Sequence, residues 1–176
     1  WRVTTFSRSV LESEEGKGST FTFEIPLRIN EDKILVEADK EIRKGNYAGK
    51  CVMLVEDNEL NMEIGKYILE EENLSVVLAR NGKEAVDLLT NSSPGTYDLI
   101  FMDIMMPVMN GLEATEAIRK CGHKQAQTIP IVAMTANAFV DDVKRCMDAG
   151  MNEHLVKPLD MKKVIEVLSR YLGESS

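Results

Sequence analysis

Four short apolar runs in this chain of 176 residues each end in a residue able to do chemistry. Cys51–Val55 runs into Glu56-Asp57, Leu99–Met102 into Asp103, Ile129–Met134 into Thr135, and His154–Val156 into Lys157. Together they offer three carboxylates, a hydroxyl and an ammonium. Carboxylates crowded into one place repel one another, and a divalent cation relieves the repulsion. Mg²⁺ favours a few carboxylates, with water and substrate oxygens completing its shell. Such a set suits phosphoryl transfer to a carboxylate: the cation and Lys157 spread the transferring charge, Thr135 holds one oxygen, and Asp103 attacks. Taken singly, each residue has a plainer reading. A strand-end Asp is usually a cap, a Thr a core-edge hydroxyl, a Lys a solvated side chain, and an acidic pair favours the start of a helix. The joint occurrence at four strand ends is what selects the chemistry.

Asp57, Asp103, Thr135 and Lys157 are separated by 46, 32 and 22 positions, so the fold must bring them together. The four runs and a fifth, Ser75–Ala79, have the length of strands and little polar alternation, as strands covered on both faces do. Between them lie segments with helical spacing. Leu60, Ile64, Tyr67 and Ile68 share one face, as do Ala85, Leu88 and Leu89, and Leu112, Thr115 and Ile118. Phe139, Val143, Cys146 and Met147 form the next face, and Val164, Ile165, Leu168 and Leu172 the last. Gly150 is placed to stop a helix and Asp160 to cap one. Five strands alternating with five helices predict an α/β fold, a doubly wound parallel sheet. All its strands point one way, so their carboxyl ends share the edge where such sheets bind ligands.

Composition narrows the classes. Hydrophobic residues make up 44% and the formal net charge is −8, enough apolar content for a core and the wrong sign for a nucleic-acid surface. Cys51, Cys121 and Cys146 form no CxxC pair, which fits a reduced, cytoplasmic protein. No apolar run approaches a membrane span, so no membrane contact by this segment is expected, although a longer parent protein could be anchored in one.

At the sheet edge the residues resemble a known family. Val55-Glu56-Asp57-Asn58, Met102-Asp103-Ile104-Met105-Met106-Pro107, Met134-Thr135-Ala136-Asn137 and Val156-Lys157-Pro158 are similar to the motifs of response-regulator receiver domains, over Lys50 to Leu172. The resemblance implies a flavodoxin-like sheet with strand order 2-1-3-4-5. It implies Asp103 as phosphoacceptor, and Mg²⁺ held directly by Asp57 and Asp103, through water by Glu56, and by the Met105 backbone carbonyl. Lys157 and Thr135 become the phosphoryl-binding pair, the Lys157–Pro158 bond is expected to be cis, and Asn110-Gly111 a tight turn. The family usually carries Tyr or Phe three residues before the lysine, where this chain has His154; Thr135 and His154 are therefore the expected switch residues. A haloacid-dehalogenase-type phosphatase would need a second Asp where Met105 stands, and a dinucleotide fold would need a G-x-G-x-x-G after the first strand.

The amino-terminal segment carries a second resemblance. Ser13-Glu14-Glu15-Gly16-Lys17-Gly18-Ser19-Thr20-Phe21, with Phe23 and Pro26, looks like the closing turn and strand of a histidine-kinase ATP-binding domain. Other kinase motifs are absent, so this chain is not expected to bind ATP itself. The expected organisation is a kinase remnant ending in a hairpin (1–29), a charged linker (30–49), a receiver (50–172) and a tail (173–176): a piece of a hybrid sensor histidine kinase. Its partners would be a histidine kinase domain, a histidine phosphotransfer protein, or both. A stand-alone response regulator, or a degenerate receiver used as a binding module, is the alternative.

Overall fold

The computed structural model describes residues 8–14, 18–24, 47–136 and 139–173. They fall in two compact units, divided between Glu41 and Ile42. In the first, β1 (Arg8–Glu14) and β2 (Gly18–Glu24) pair antiparallel, with Leu11 opposite Phe21 and Ser9 opposite Phe23. The turn glycine Gly16, Ile25 and Pro26, and all of the expected linker up to residue 46, lie outside the described residues.

The second unit is built on β3 (Cys51–Val55), β4 (Ser75–Ala79), β5 (Leu99–Asp103), β6 (Ile131–Thr135) and β7 (Glu153–Val156). They form one sheet in the order β4-β3-β5-β6-β7, every pair parallel. Counted from β3, this is the 2-1-3-4-5 order. Five helices alternate with the strands: α1 (Glu59–Glu70), α2 (Gly82–Thr90), α3 (Gly111–Lys120), α4 (Val140–Asp148) and α5 (Met161–Leu172). Side chains alternate across a strand, and here both faces are buried. Val52 and Leu54 point into a core completed by Met62, Leu69, Val164 and Leu168. Met53 and Val55 point into the opposite core, with Ala85, Leu89, Ala114 and Ile118. Tyr47, ahead of the expected start at Lys50, is buried in the first of these cores.

Local chemistry sets the helix ends. Asn58, Asn81 and Asp160 each accept a backbone N–H from three residues on, satisfying a donor the helix cannot. Asn110 and Glu113 close a reciprocal capping box on α3. At the end of α4, Gly150 takes φ +101°, a conformation a side chain resists.

Two of the expected helix faces are corrected. On α1, Leu60, Ile64 and Tyr67 are 64%, 47% and 61% exposed; the inward residues are Met62, Gly65, Ile68 and Leu69. Gly65 explains the choice, because a Cβ there would sit 3.0 Å from Leu54 Cδ2, so the helix lies closest to β3 on that side. On α4 the one buried residue is Cys146. Phe139 precedes the helix in extended conformation and, like Met147, is exposed.

Candidate functional site

The carboxyl ends of β3, β5, β6 and β7 meet on one edge, and the backbone there is tightly held. Glu56 N–H donates to Ala79 O (3.0 Å), Ile104 N–H to Met134 O (3.2 Å) and Lys157 N–H to Thr135 O (2.7 Å). These bonds carry the sheet register one residue past the strands, into the residues that matter. The first turn of α3 is pressed on the same edge: Gly111 N–H donates to Ile104 O (3.0 Å), and a Cβ on Gly111 would lie 2.1 Å from Asp103 O. Gly111 is thus required by close approach, not by the φ of a tight turn. Val108, in the loop between β5 and α3, has φ 71°, a strained value for a β-branched residue.

Three carboxylates gather on this edge. Glu56, Asp57 and Asp103 each offer an oxygen, and the three oxygens lie within 4.8 Å of one another. Glu56 and Asp103 are buried and Asp57 is exposed. Lys157 stands between the buried two: its Nζ is 2.5 Å from Glu56 Oε2 and 2.7 Å from Asp103 Oδ2. The other Asp103 oxygen accepts the Met105 N–H at 3.3 Å. Met105 meets Asp103 through its backbone, while its side chain is exposed. Glu56 Oε1 accepts from Asn58 N–H (3.3 Å) and from the Asn61 side-chain amide (3.2 Å).

The electrostatics follow from burial. Loss of water pushes the Asp103 carboxyl above its ordinary value; the bond and charge of Lys157 pull it down by less, and the charge of Glu56 adds to the rise. For Lys157 burial pulls the other way, but its bonds to Asp103 and Glu56, with their charges, outweigh it, and the ammonium is held above its ordinary value. The site therefore keeps its Lys157 ammonium firmly and the Asp103 carboxylate at a cost. A group that brings positive charge to the three oxygens removes that cost, and hard, clustered carboxylate oxygens fit Mg²⁺.

Thr135 ends β6, buried, beside Lys157. It also lines a cleft of about 620 Å³ shared with Ile104, Asn110, Asp142 and Cys146, which runs from the acid edge to α4. His154 lies half-buried on β7, opposite Ala133 in the ladder. The Lys157–Pro158 bond is cis. Glu56, Asp57, Asp103, Met105, Thr135 and Lys157, all read from the sequence, thus share one edge; His154 stands further back along its strand. Sequence reading missed Asn58 and Asn61. Their signal is the Asn-x-x-Asn spacing at a helix start, where one would look for a cap and not for a site residue.

Comparison with known proteins places this arrangement. The family model for the response regulator receiver domain matches residues 52–169. A protein described as probable histidine kinase 1 from Oryza sativa subsp. indica is 32% identical over 84% of this chain, which spans 18% of that protein's length. The receiver domain of sensor histidine kinase PA1611 from Pseudomonas aeruginosa PAO1, with a magnesium ion in its active-site cleft, is 35% identical and aligns with a TM-score of 0.64 over 72% of this chain and all of its own. The receiver domain of Ssk1, in complex with the histidine phosphotransfer protein Ypd1 from Saccharomyces cerevisiae, is represented by a chain 31% identical; it aligns with a TM-score of 0.62 over 69% of this chain and 88% of that one. Among the described residues no helix is long and apolar enough to cross a membrane.

Proposed function

We propose that this chain, which belongs to the family of response regulator receiver domains, accepts a phosphoryl group on Asp103 from a phosphohistidine and passes it on or loses it to water. The observation that carries the assignment is the Lys157 ammonium at 2.7 Å from Asp103 and 2.5 Å from Glu56, beside three clustered carboxylates from two strand ends. Asp103 is the nucleophile: a carboxylate oxygen attacks phosphorus, the P–N bond of the donor imidazole breaks, and an acyl phosphate forms. Lys157, already charged and fixed, neutralises the added negative charge. Thr135 supplies a hydroxyl to one phosphoryl oxygen. Asp57, Asp103, the Met105 carbonyl and, through water, Glu56 would hold Mg²⁺, the ion in the Pseudomonas neighbour; when bound it supplies charge neutralisation to the transferring group. Phosphorylation draws Thr135 inward, and the cleft beneath it carries the change to α4, with His154 as the second switch residue.

The donor or acceptor partner is a histidine kinase domain or a histidine phosphotransfer protein. The exposed apolar stripe Leu60, Ile64 and Tyr67 on α1, next to the acid edge, supports a protein partner, as does the phosphotransfer complex of the yeast neighbour. The parent protein is a hybrid sensor histidine kinase; the rice relative's description as a probable histidine kinase supports the kinase part of that reading. Residues 1–29 are the end of its ATP-binding domain, 30–49 a linker whose Tyr47 packs into the receiver core, 50–172 the receiver and 173–176 a tail. Incubation with Mg²⁺ and acetyl phosphate, read by intact mass, tests the chemistry. One phosphoryl adduct, dependent on Mg²⁺ and lost in Asp103→Ala, is expected; an adduct that survives Asp103→Ala would refute the assignment.

A further inference from the structure

Asn61 is spent in an unusual way. It is the third residue of α1, where a side chain ordinarily reaches back to the N–H of the cap residue, as Glu113 does to Asn110 on α3. On α1 that exchange is half rerouted. Asn58 caps Asn61 N–H (3.1 Å), but the Asn58 N–H itself goes to Glu56 Oε1 (3.3 Å), and the Asn61 amide goes to the same oxygen (3.2 Å). An ionised carboxylate only accepts, so the Asn61 group facing it is the NH₂. Both donors hold Oε1, which leaves Oε2 to Lys157 at 2.5 Å. Glu56 is 2% exposed, so a donor lost at Oε1 is a hydrogen bond lost to a buried charge.

We propose that Asn61 is a positioning residue for phosphoryl transfer: by pinning Glu56 Oε1 it fixes the carboxylate plane and so sets Lys157 midway between Glu56 and Asp103. This rests on the phosphoacceptor reading of the same site. Without the Asn61 donor only the Asn58 N–H holds Oε1, and the Glu56 carboxylate can turn toward Lys157. The ammonium is then drawn off Asp103, and the carboxylate cluster that would take Mg²⁺ loses its arrangement. Asn61 touches neither Asp103 nor the incoming group. Its effect falls on the rate of transfer and on cation affinity, not on how the donor is bound.

The test compares the full chain with Asn61→Leu, which keeps the bulk and removes the donor, and Asn61→Gln, which keeps the amide. Expected for Asn61→Leu is an about tenfold lower phosphorylation rate at saturating acetyl phosphate, the scale of one hydrogen bond to a buried charge. Half-saturation by acetyl phosphate should be unchanged, the Mg²⁺ dissociation constant by calorimetry should rise several-fold, and the melting temperature should hold. In metal-free protein the Lys157 Nζ resonance should move in Asn61→Leu and return toward the parent position in Asn61→Gln. Parent-like rate, Mg²⁺ affinity and Nζ resonance in Asn61→Leu would overturn the proposal. If Asn61→Leu does not fold, Asn61→Ser takes its place under the same criteria. A parent chain that is not phosphorylated refutes the phosphoacceptor reading instead, and the Nζ and Mg²⁺ comparisons then still decide whether Asn61 positions Lys157.

Discussion

Replacing Asp103, the proposed acceptor, should stabilise the protein while abolishing its phosphorylation. Asp103→Asn keeps the shape and removes a charge. Asp103, Glu56 and Asp57 offer oxygens within 4.8 Å of one another, and at that distance two unit charges repel by roughly 3.5 kcal/mol at an effective dielectric of about 20. The attraction of Lys157 at 2.7 Å is roughly 6 kcal/mol on the same scale, so it nearly cancels the two repulsions. Asp57 is exposed, and its share is further screened. What remains is the cost of burying the charge, and that cost holds the Asp103 carboxyl above its ordinary value. A raised carboxyl favours the protonated form in the fold. Its stabilising contribution is present at pH below the unfolded value and is lost as pH rises through the folded value. At pH 7.5 without metal, Asp103→Asn should therefore be more stable than the parent by about 1 kcal/mol, and the gap should close as pH falls toward about 4. Mg²⁺ at about a hundredfold over its dissociation constant should stabilise the parent by about 2.7 kcal/mol and the variant by about 1 kcal/mol or less. Urea midpoints at both pH values, with and without Mg²⁺, read all four states. An Asp103→Asn variant less stable than the parent by an amount independent of pH would show that burial does not dominate at this carboxyl.

Two further outcomes concern the way in and the way out. Ile64→Asp, on the exposed stripe of α1, should change stability by no more than about 0.5 kcal/mol and leave labelling by acetyl phosphate intact. Transfer from a phosphorylated histidine phosphotransfer protein should slow about tenfold, and equal loss with both donors would remove α1 as the docking face. Phosphorylation should shift the His154 ring resonances in the parent and not in Thr135→Ala; an unchanged His154 ring in the phosphorylated parent would exclude it as a switch.

The sheet and its edge were legible because both are set by one-dimensional patterns. A strand buried on both faces must be apolar throughout, as Cys51–Val55 and Leu99–Met102 are, and its end shows as the first polar residue. Parallel connection then places those polar residues together without knowledge of side-chain contacts, which is why Asp103, Thr135 and Lys157 could be found across gaps of 32 and 22 positions. The hydrogen bonds among them were not legible. That Lys157 bridges Glu56 and Asp103, and that Asn61 braces Glu56, depends on rotamers and on the rise of one helix turn. Asn110-Gly111 reads as a tight turn in the sequence, but what requires the glycine is the backbone of Asp103, which leaves no room for a Cβ.

The helix faces failed for a reason that bears on function. Periodicity finds an apolar stripe but cannot tell which stripe meets the sheet when a helix carries two. On α1 the stripe Leu60, Ile64, Tyr67 is as regular as the buried set Met62, Gly65, Ile68, Leu69, and packing against Leu54 selects the one with the glycine. Folding therefore leaves three large apolar side chains about half in water, where each forgoes part of the roughly 1.5–3 kcal/mol that full burial returns. They adjoin Asn61 on the same helix, and Asn61 is bonded to Glu56 at the acid edge. A partner that covers Leu60 and Ile64 thus recovers that apolar area and at the same moment screens the Asn61–Glu56–Lys157 chain from water. On the proposed function, docking and the electrostatics of transfer would be joined through one turn of α1, by the outward stripe Leu60, Ile64 and Tyr67.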